Sequence, residues 1–317
     1  MLPLAMLTGA LSYRLVGYIS FLTPYLIFTM LLLTFCKLSP REMRLHPLHK
    51  WLLLIQLVGC VVVYGLVYLY APVVAQGALI CVLAPTATSA AVITGMLGGS
   101  VAFLTNYVLL CNIGVAIMAP VLFSFMGSQS EMPFFESFLF ICRQVGPLLI
   151  LPLVFAWSLR AFLPKLHARI LSVHKLSFYL WAVALTIVTG STVRFLVEQQ
   201  DPDYTVEIGL AVVSLVICVG QFLLGRRLGK RYGDPVSSGQ GLGQKNTILA
   251  IWMAQVYLNP IASIAPAAYV LWQNSINSYQ LWLKGRKTNK LCNTLFFYVI
   301  STDSSCCKLS LKKNTKN

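Results

Sequence analysis

Acidic side chains are scarce: nine Asp and Glu stand among 317 residues, and charged residues of both signs make up 10%. Soluble domains carry about a quarter. Between Lys50 and Glu131 no side chain is charged. Water does not solvate a stretch of that kind. In a bilayer the backbone has to satisfy its own hydrogen bonds, as helices do. Alternation of polar and apolar positions is also missing, and the apolar segments are too long for the strands of a membrane barrel. These absences leave an all-α polytopic membrane protein.

Other absences narrow the chemistry. Only four His occur (His46, His49, His167 and His174), all in basic stretches, and there is no CxxC, HExxH, GxSxG or intramembrane Asp pair. Those are the spacings that hold metals or build catalytic centres. The expectation is no enzyme, no metal and no cofactor. The nine Cys are scattered, most of them in apolar segments, where a thiol acts as a small hydrophobe. Met1–Leu11 lacks the basic leading segment of a secretory signal.

What is abundant is basic charge: 24 Lys and Arg give a net charge of +15. No basic run is interleaved with aromatics in a polar context, so nucleic acid is excluded as a partner. In a membrane protein such residues record which loops stay in the cytoplasm. A crossing needs about 20 apolar residues. Nine candidates follow: Tyr18–Phe35, Trp51–Tyr70, Pro72–Leu97, Val101–Met126, Ser137–Leu159, Leu176–Val197, Val206–Leu224, Pro235–Leu258 and Pro260–Leu283. Met1–Tyr13 is apolar but too short, and is expected to be a truncated first span. Basic clusters (Lys37 to Lys50, Arg160 to Lys175, Arg226 to Arg231, Lys284 to Lys290) fall only an even number of spans apart, and the intervening loops carry Glu131 and Glu136, or Glu198, Asp201, Asp203 and Glu207. The basic side is therefore expected to be cytoplasmic, with a disordered cytoplasmic tail over 291–317.

Counting the short first segment, the chain divides into two halves of five spans with opposite orientation, 1–130 and 131–290. Two segments at matching places are interrupted: Pro85-Thr86-Ala87-Thr88-Ser89 in the fourth, and Gly239 through Thr247 in the ninth. Paired interruptions of this kind point to a transport site at mid-membrane; each alone also fits a proline kink or close helix packing. Free backbone groups at broken helix ends make Thr86, Thr88, Ser89, Asn246 and Thr247 candidates for substrate contacts. Asn112 and Asn274, inside spans, either line the site or bridge helices.

At these segments the sequence resembles the bile acid:sodium symporter family, as a divergent bacterial-type member. Leu83-Ala84-Pro85-Thr86-Ala87-Thr88-Ser89 with Gly98-Gly99, the gapless stretch Gly99–Pro120, and Gln244-Lys245-Asn246-Thr247 with Asn259-Pro260 carry the resemblance. It implies two inverted five-helix repeats with crossed broken helices 4 and 9, panel and core domains, and transport of an organic anion, usually with sodium, across the bacterial inner (plasma) membrane. The departures are specific. Where the family places oxygen-bearing sodium ligands, this chain has Ala90, Ala91, Leu104, Val108 and Gly241, and its Gln becomes Lys245. Sodium, a hard cation, needs oxygen ligands as calcium and magnesium do. Gln56, matched to a third-helix glutamine near the second sodium site, is the ligand kept.

An ammonium at mid-membrane costs about 2.5–3.5 kcal/mol on insertion scales, so such residues usually face a cavity and act. Lys245 lies about 15 Å from either end of its segment, too far to snorkel. The reading is that its charge stands where the ions sit, holds the crossed helices and attracts an anion. Because burial disfavours the charged form of an amine, a proton replaces sodium as the coupling ion. A one-residue shift that leaves Gln244 at the family position, a sodium symporter working through altered ligands, and a sensor or receptor that keeps the fold without transport are the alternatives.

Overall fold

The structure, a computed structural model, describes residues 2–37, 45–126, 133–172, 176–198 and 203–286. Arg41, Arg44, Lys175, Lys287, Lys290 and the expected tail, 291–317, lie outside the described residues. The chain divides after Gln273 into two units. In the second, residues 274–286 are helical.

Among its described residues the first unit is helical apart from short links, with no strand. It comprises α1 (Leu2–Leu11), α2 (Tyr13–Ile19), a 3-10 turn (Ser20–Leu22), α3 (Thr23–Phe35), α4 (Pro47–Tyr68), α5 (Pro72–Leu83), α6 (Ser89–Leu97) and α7 (Val101–Met126). It continues with α8 (Phe134–Phe162), α9 (Pro164–Ser172), α10 (Leu176–Glu198), α11 (Tyr204–Lys230), α12 (Pro235–Gly243), α13 (Thr247–Tyr257), a 3-10 turn (Pro260–Ser263) and a helix over 264–273. Among the described residues six helical stretches are long and apolar enough to cross a membrane: Tyr13–Phe35, α4, α7, α8, Tyr179–Glu198 and α11. Their outward faces carry Leu54, Val62, Ile117, Phe155, Val183 and Val216, apolar and exposed. Lipid, not water, suits such surfaces. This is an integral α-helical membrane protein.

The two interrupted segments appear as pairs of short helices. Pro85 ends α5 in two ways. It lacks the N–H that the Cys81 carbonyl needs, and it drives Ala84 out of the helical region, to φ −46° and ψ 134°. α6 closes at Gly98, whose φ of 83° favours glycine. With about 1.5 Å rise per residue, α5 and α6 together with their link cover about the 30 Å hydrocarbon depth.

The ninth segment differs from expectation. Its interruption covers only Gln244–Asn246; the glycines from Gly239 to Gly243 stay helical in α12. Their role is close packing. A side chain on Gly241 would stand 3.1 Å from the Tyr107 ring, and one on Gly239 2.7 Å from the Arg226 side chain.

The helices of this unit pack as two groups. α1, α2, α3 and α10 lie mainly on one another, with α8 joined to them through α3; α4 to α7, α11 and α12 form the other, with α13 joined to it through α5. The groups meet along the consecutive pair α7 and α8, and where α13 and the 3-10 turn Pro260–Ser263 touch α10 and α3.

Candidate functional site: the paired helix breaks

The two interruptions meet as an antiparallel pair. Thr86 bridges Lys245, the Ala87 N–H donates to the Gln244 carbonyl at 2.9 Å, and the Asn246 N–H donates to the Pro85 carbonyl at 2.8 Å. Further ties fix the direction of the crossing. The Ser100 N–H, just past α6, donates to Ser237 Oγ near the start of α12 at 2.8 Å. At the other end Asn259, past α13, donates its N–H to Gln76 Oε1 on α5 at 2.8 Å, while Gln76 Nε2 donates to the Met126 carbonyl at 2.9 Å. The end of each broken segment thus lies beside the start of the other.

A helix leaves its last four carbonyls without helical partners, and at membrane depth each needs one. All four of α5 are accounted for. Cys81 O accepts from Gln221 Nε2 at 3.3 Å, Val82 O from Lys245 Nζ at 2.9 Å, and Leu83 O and Ala84 O each from Gln56 Nε2 at 3.0 Å. At α12, Gly241 O accepts from Thr86 Oγ1 at 2.6 Å and Gly243 O from Tyr269 Oη at 2.8 Å. The break beyond it is clamped by Gln273, which accepts the Lys245 N–H at 2.9 Å and returns its amide to the Lys245 carbonyl at 3.3 Å. Thr86 and Lys245, the bridged pair, therefore each send a side chain to the end of the opposite half-helix. A cation beside C-terminal carbonyls also meets the negative end of the helix dipole.

The crossing has two faces. On the closed one lie Gln56, Thr86, Lys245 and Gln273, each under one-tenth exposed, with Lys245 at 1%. Gln56 Oε1 there accepts from Tyr107 Oη at 3.0 Å and from Cys111 Sγ at 3.2 Å. Cys111 Sγ in turn receives the Thr86 N–H at 3.4 Å. On the open face Ser89 is exposed and Ala87, Thr88 and Asn246 are half-buried. Ser89 Oγ accepts from Gln244 Nε2 at 2.9 Å, and Asn246 caps α13 by accepting the Leu249 N–H at 3.3 Å.

Of the residues singled out from sequence, the structure brings Gln56, Thr86, Ser89, Lys245, Asn246 and Thr247 to the crossing. Thr88 stands there as the residue before α6. Asn112, 2% exposed on α7, turns its amide to its own helix, donating to Val108 O at 2.7 Å. Asn274 belongs to the second unit. Sequence reading passed over Cys111, Gln221, Tyr269 and Gln273. The two glutamines are amides inside apolar spans, a signal that could have found them; the Tyr and Cys carry no such mark.

Of the positions where the resemblance expects ion ligands, Ala90, Leu104, Val108 and Gly241 are buried and Ala91 is half-buried. Leu104 and Val108 are 0% and 2% exposed, and the Tyr107 ring and Leu104 lie against Gly241. Among the described residues no cluster of His, Cys, Asp or Glu has metal-binding geometry. No known family model matches the chain, and no curated protein is significantly similar to it.

Proposed function

We propose that this chain is a secondary transporter of an organic anion that works by alternating access, with Lys245 in place of bound sodium. The observation that carries this reading is the reciprocal capping at the crossing. Transporters built from inverted repeats place coupling cations against carbonyls at the ends of discontinuous helices; here a side-chain ammonium occupies such carbonyls, and the candidate oxygen of Gln56 is already bonded to Tyr107 and Cys111. The antiparallel pairing of the breaks supports the inverted repeats, and the two helix groups correspond to panel and core. The anion is taken at the open face, where the first turns of α6 and α13 direct the positive dipole end toward Thr88, Ser89 and Asn246.

The test is uptake of labelled organic anions by proteoliposomes with and without a sodium gradient. Uptake independent of sodium and dependent on a proton gradient supports the proposal. Strict dependence on sodium refutes the replacement, and full pH-dependent uptake by Lys245→Gln refutes the part given to the lysine. Binding without flux favours the sensor.

A further inference from the structure

The chain leaves α8 at Phe162, and Leu163 alone separates it from Pro164 at the start of α9. One connecting residue keeps α9 at the membrane border. A second tie holds it there: the buried His167 bonds through Nε2 to the Cys36 carbonyl at 2.9 Å, directly after α3, another helix of spanning character.

With 3.6 residues per turn, residues 165 and 169 share one face of α9, 166 and 170 the next, and 167 faces inward. Lys165 and Arg169 are exposed. Leu166 is exposed at 44%, and at the connection Phe162 and Leu163 are exposed at 81% and 54%. No acidic residue occurs between Glu136 and Glu198, so this stretch brings no carboxylate to the two cations. A cationic strip beside an apolar strip, on a helix held at the edge of the hydrocarbon, has the form of an interfacial helix.

We propose that α9 docks on the anionic headgroup layer of the bilayer. Leu166, Phe162 and Leu163 enter the upper acyl region, and Lys165 and Arg169 hold lipid phosphates. Because His167 joins α9 to the end of α3 and α8 runs into α9, lipid charge bears directly on one of the two helix groups. This inference is independent of any transport activity.

Hydrogen exchange on the full chain in nanodiscs tests it. Phosphatidylglycerol mixed into phosphatidylcholine is expected to slow exchange of the amides of 165–172 several-fold relative to phosphatidylcholine alone. The double variant Lys165→Gln/Arg169→Gln is expected to lose most of that slowing. Salt at about 1 M, where the screening length is about 3 Å, is expected to erase it in the unaltered chain, a readout that stands even if the variant fails to fold. Equal exchange in the two lipids, or slowing that survives the double substitution or the salt, overturns the proposal. Equal slowing by inorganic phosphate in phosphatidylcholine discs marks a free-anion site and overturns the lipid assignment.

Discussion

Gln56 holds two carbonyls with a single amide nitrogen, whereas Thr86 holds one with its hydroxyl. Their replacement by apolar residues of similar size leaves those carbonyls unpaired at membrane depth. An unsatisfied buried group costs about 1–3 kcal/mol. Hydrogen bonds between membrane helices average nearer 0.6 kcal/mol where other partners are available, but a carbonyl fixed at a helix break has few. Gln56→Leu is therefore expected to lower stability by about 2–4 kcal/mol and Thr86→Val by about 1–2 kcal/mol, read from reversible unfolding in detergent. An equal, negligible effect of both would show that the breaks are satisfied in another way. At this scale Lys245 and Thr86 were legible, because a polar side chain inside an apolar span announces itself. Cys111 was not: a thiol in a span reads as a small hydrophobe, and its role here depends on Thr86 and Gln56, which lie far from it in sequence.

Among elements, the α5 break was legible to within one residue, expected over Pro85–Ser89 and found over 84–88, since a proline acts through its neighbours' geometry wherever it sits. The α12 break was placed too broadly. Glycines lower helix propensity, but they also admit close neighbours, and the sequence does not say which role prevails. Contacts decide it. A side chain on Gly225 of α11 would stand 2.9 Å from the carbonyl carbon of Ser238 and 3.0 Å from the Cα of Gly239. Both are backbone atoms of α12 with little freedom to shift. Gly220, on the same helix, has nothing within 4 Å. Gly225→Ala is expected to destabilise by about 1–3 kcal/mol through overpacking. Gly220→Ala is expected to be neutral or to stabilise by up to about 1 kcal/mol. Thermal unfolding of the two variants side by side checks the pair.

Across the whole molecule, membrane character followed from composition alone, and the apolar runs pointed to the six long helices. The division into two helix groups did not follow from either. The seam between the groups joins α10 and α8 to α13 and the 3-10 turn Pro260–Ser263, remote in sequence, through residues with no local signature. Gln255 Nε2 donates to Thr192 Oγ1 at 3.2 Å, Thr192 Oγ1 lies 3.4 Å from Ser263 Oγ, and Tyr257 Oη donates to Gln144 Oε1 at 2.9 Å. If the groups move against each other during transport, these bonds break. The double variant Thr192→Cys/Ser263→Cys is expected to form a disulfide on mild oxidation, to lose anion uptake, and to regain it on reduction. Unimpaired uptake by the cross-linked protein would place the motion elsewhere. The crossing itself offers no such freedom. Bonded at its middle through Thr86 and Lys245 and at its two ends through Ser100 with Ser237 and Gln76 with Asn259, it resembles a braced truss whose members cannot scissor. Tied at three places along their length, the broken helices are expected to shift as one body, so that a displacement at one rim of the bilayer is felt at the other.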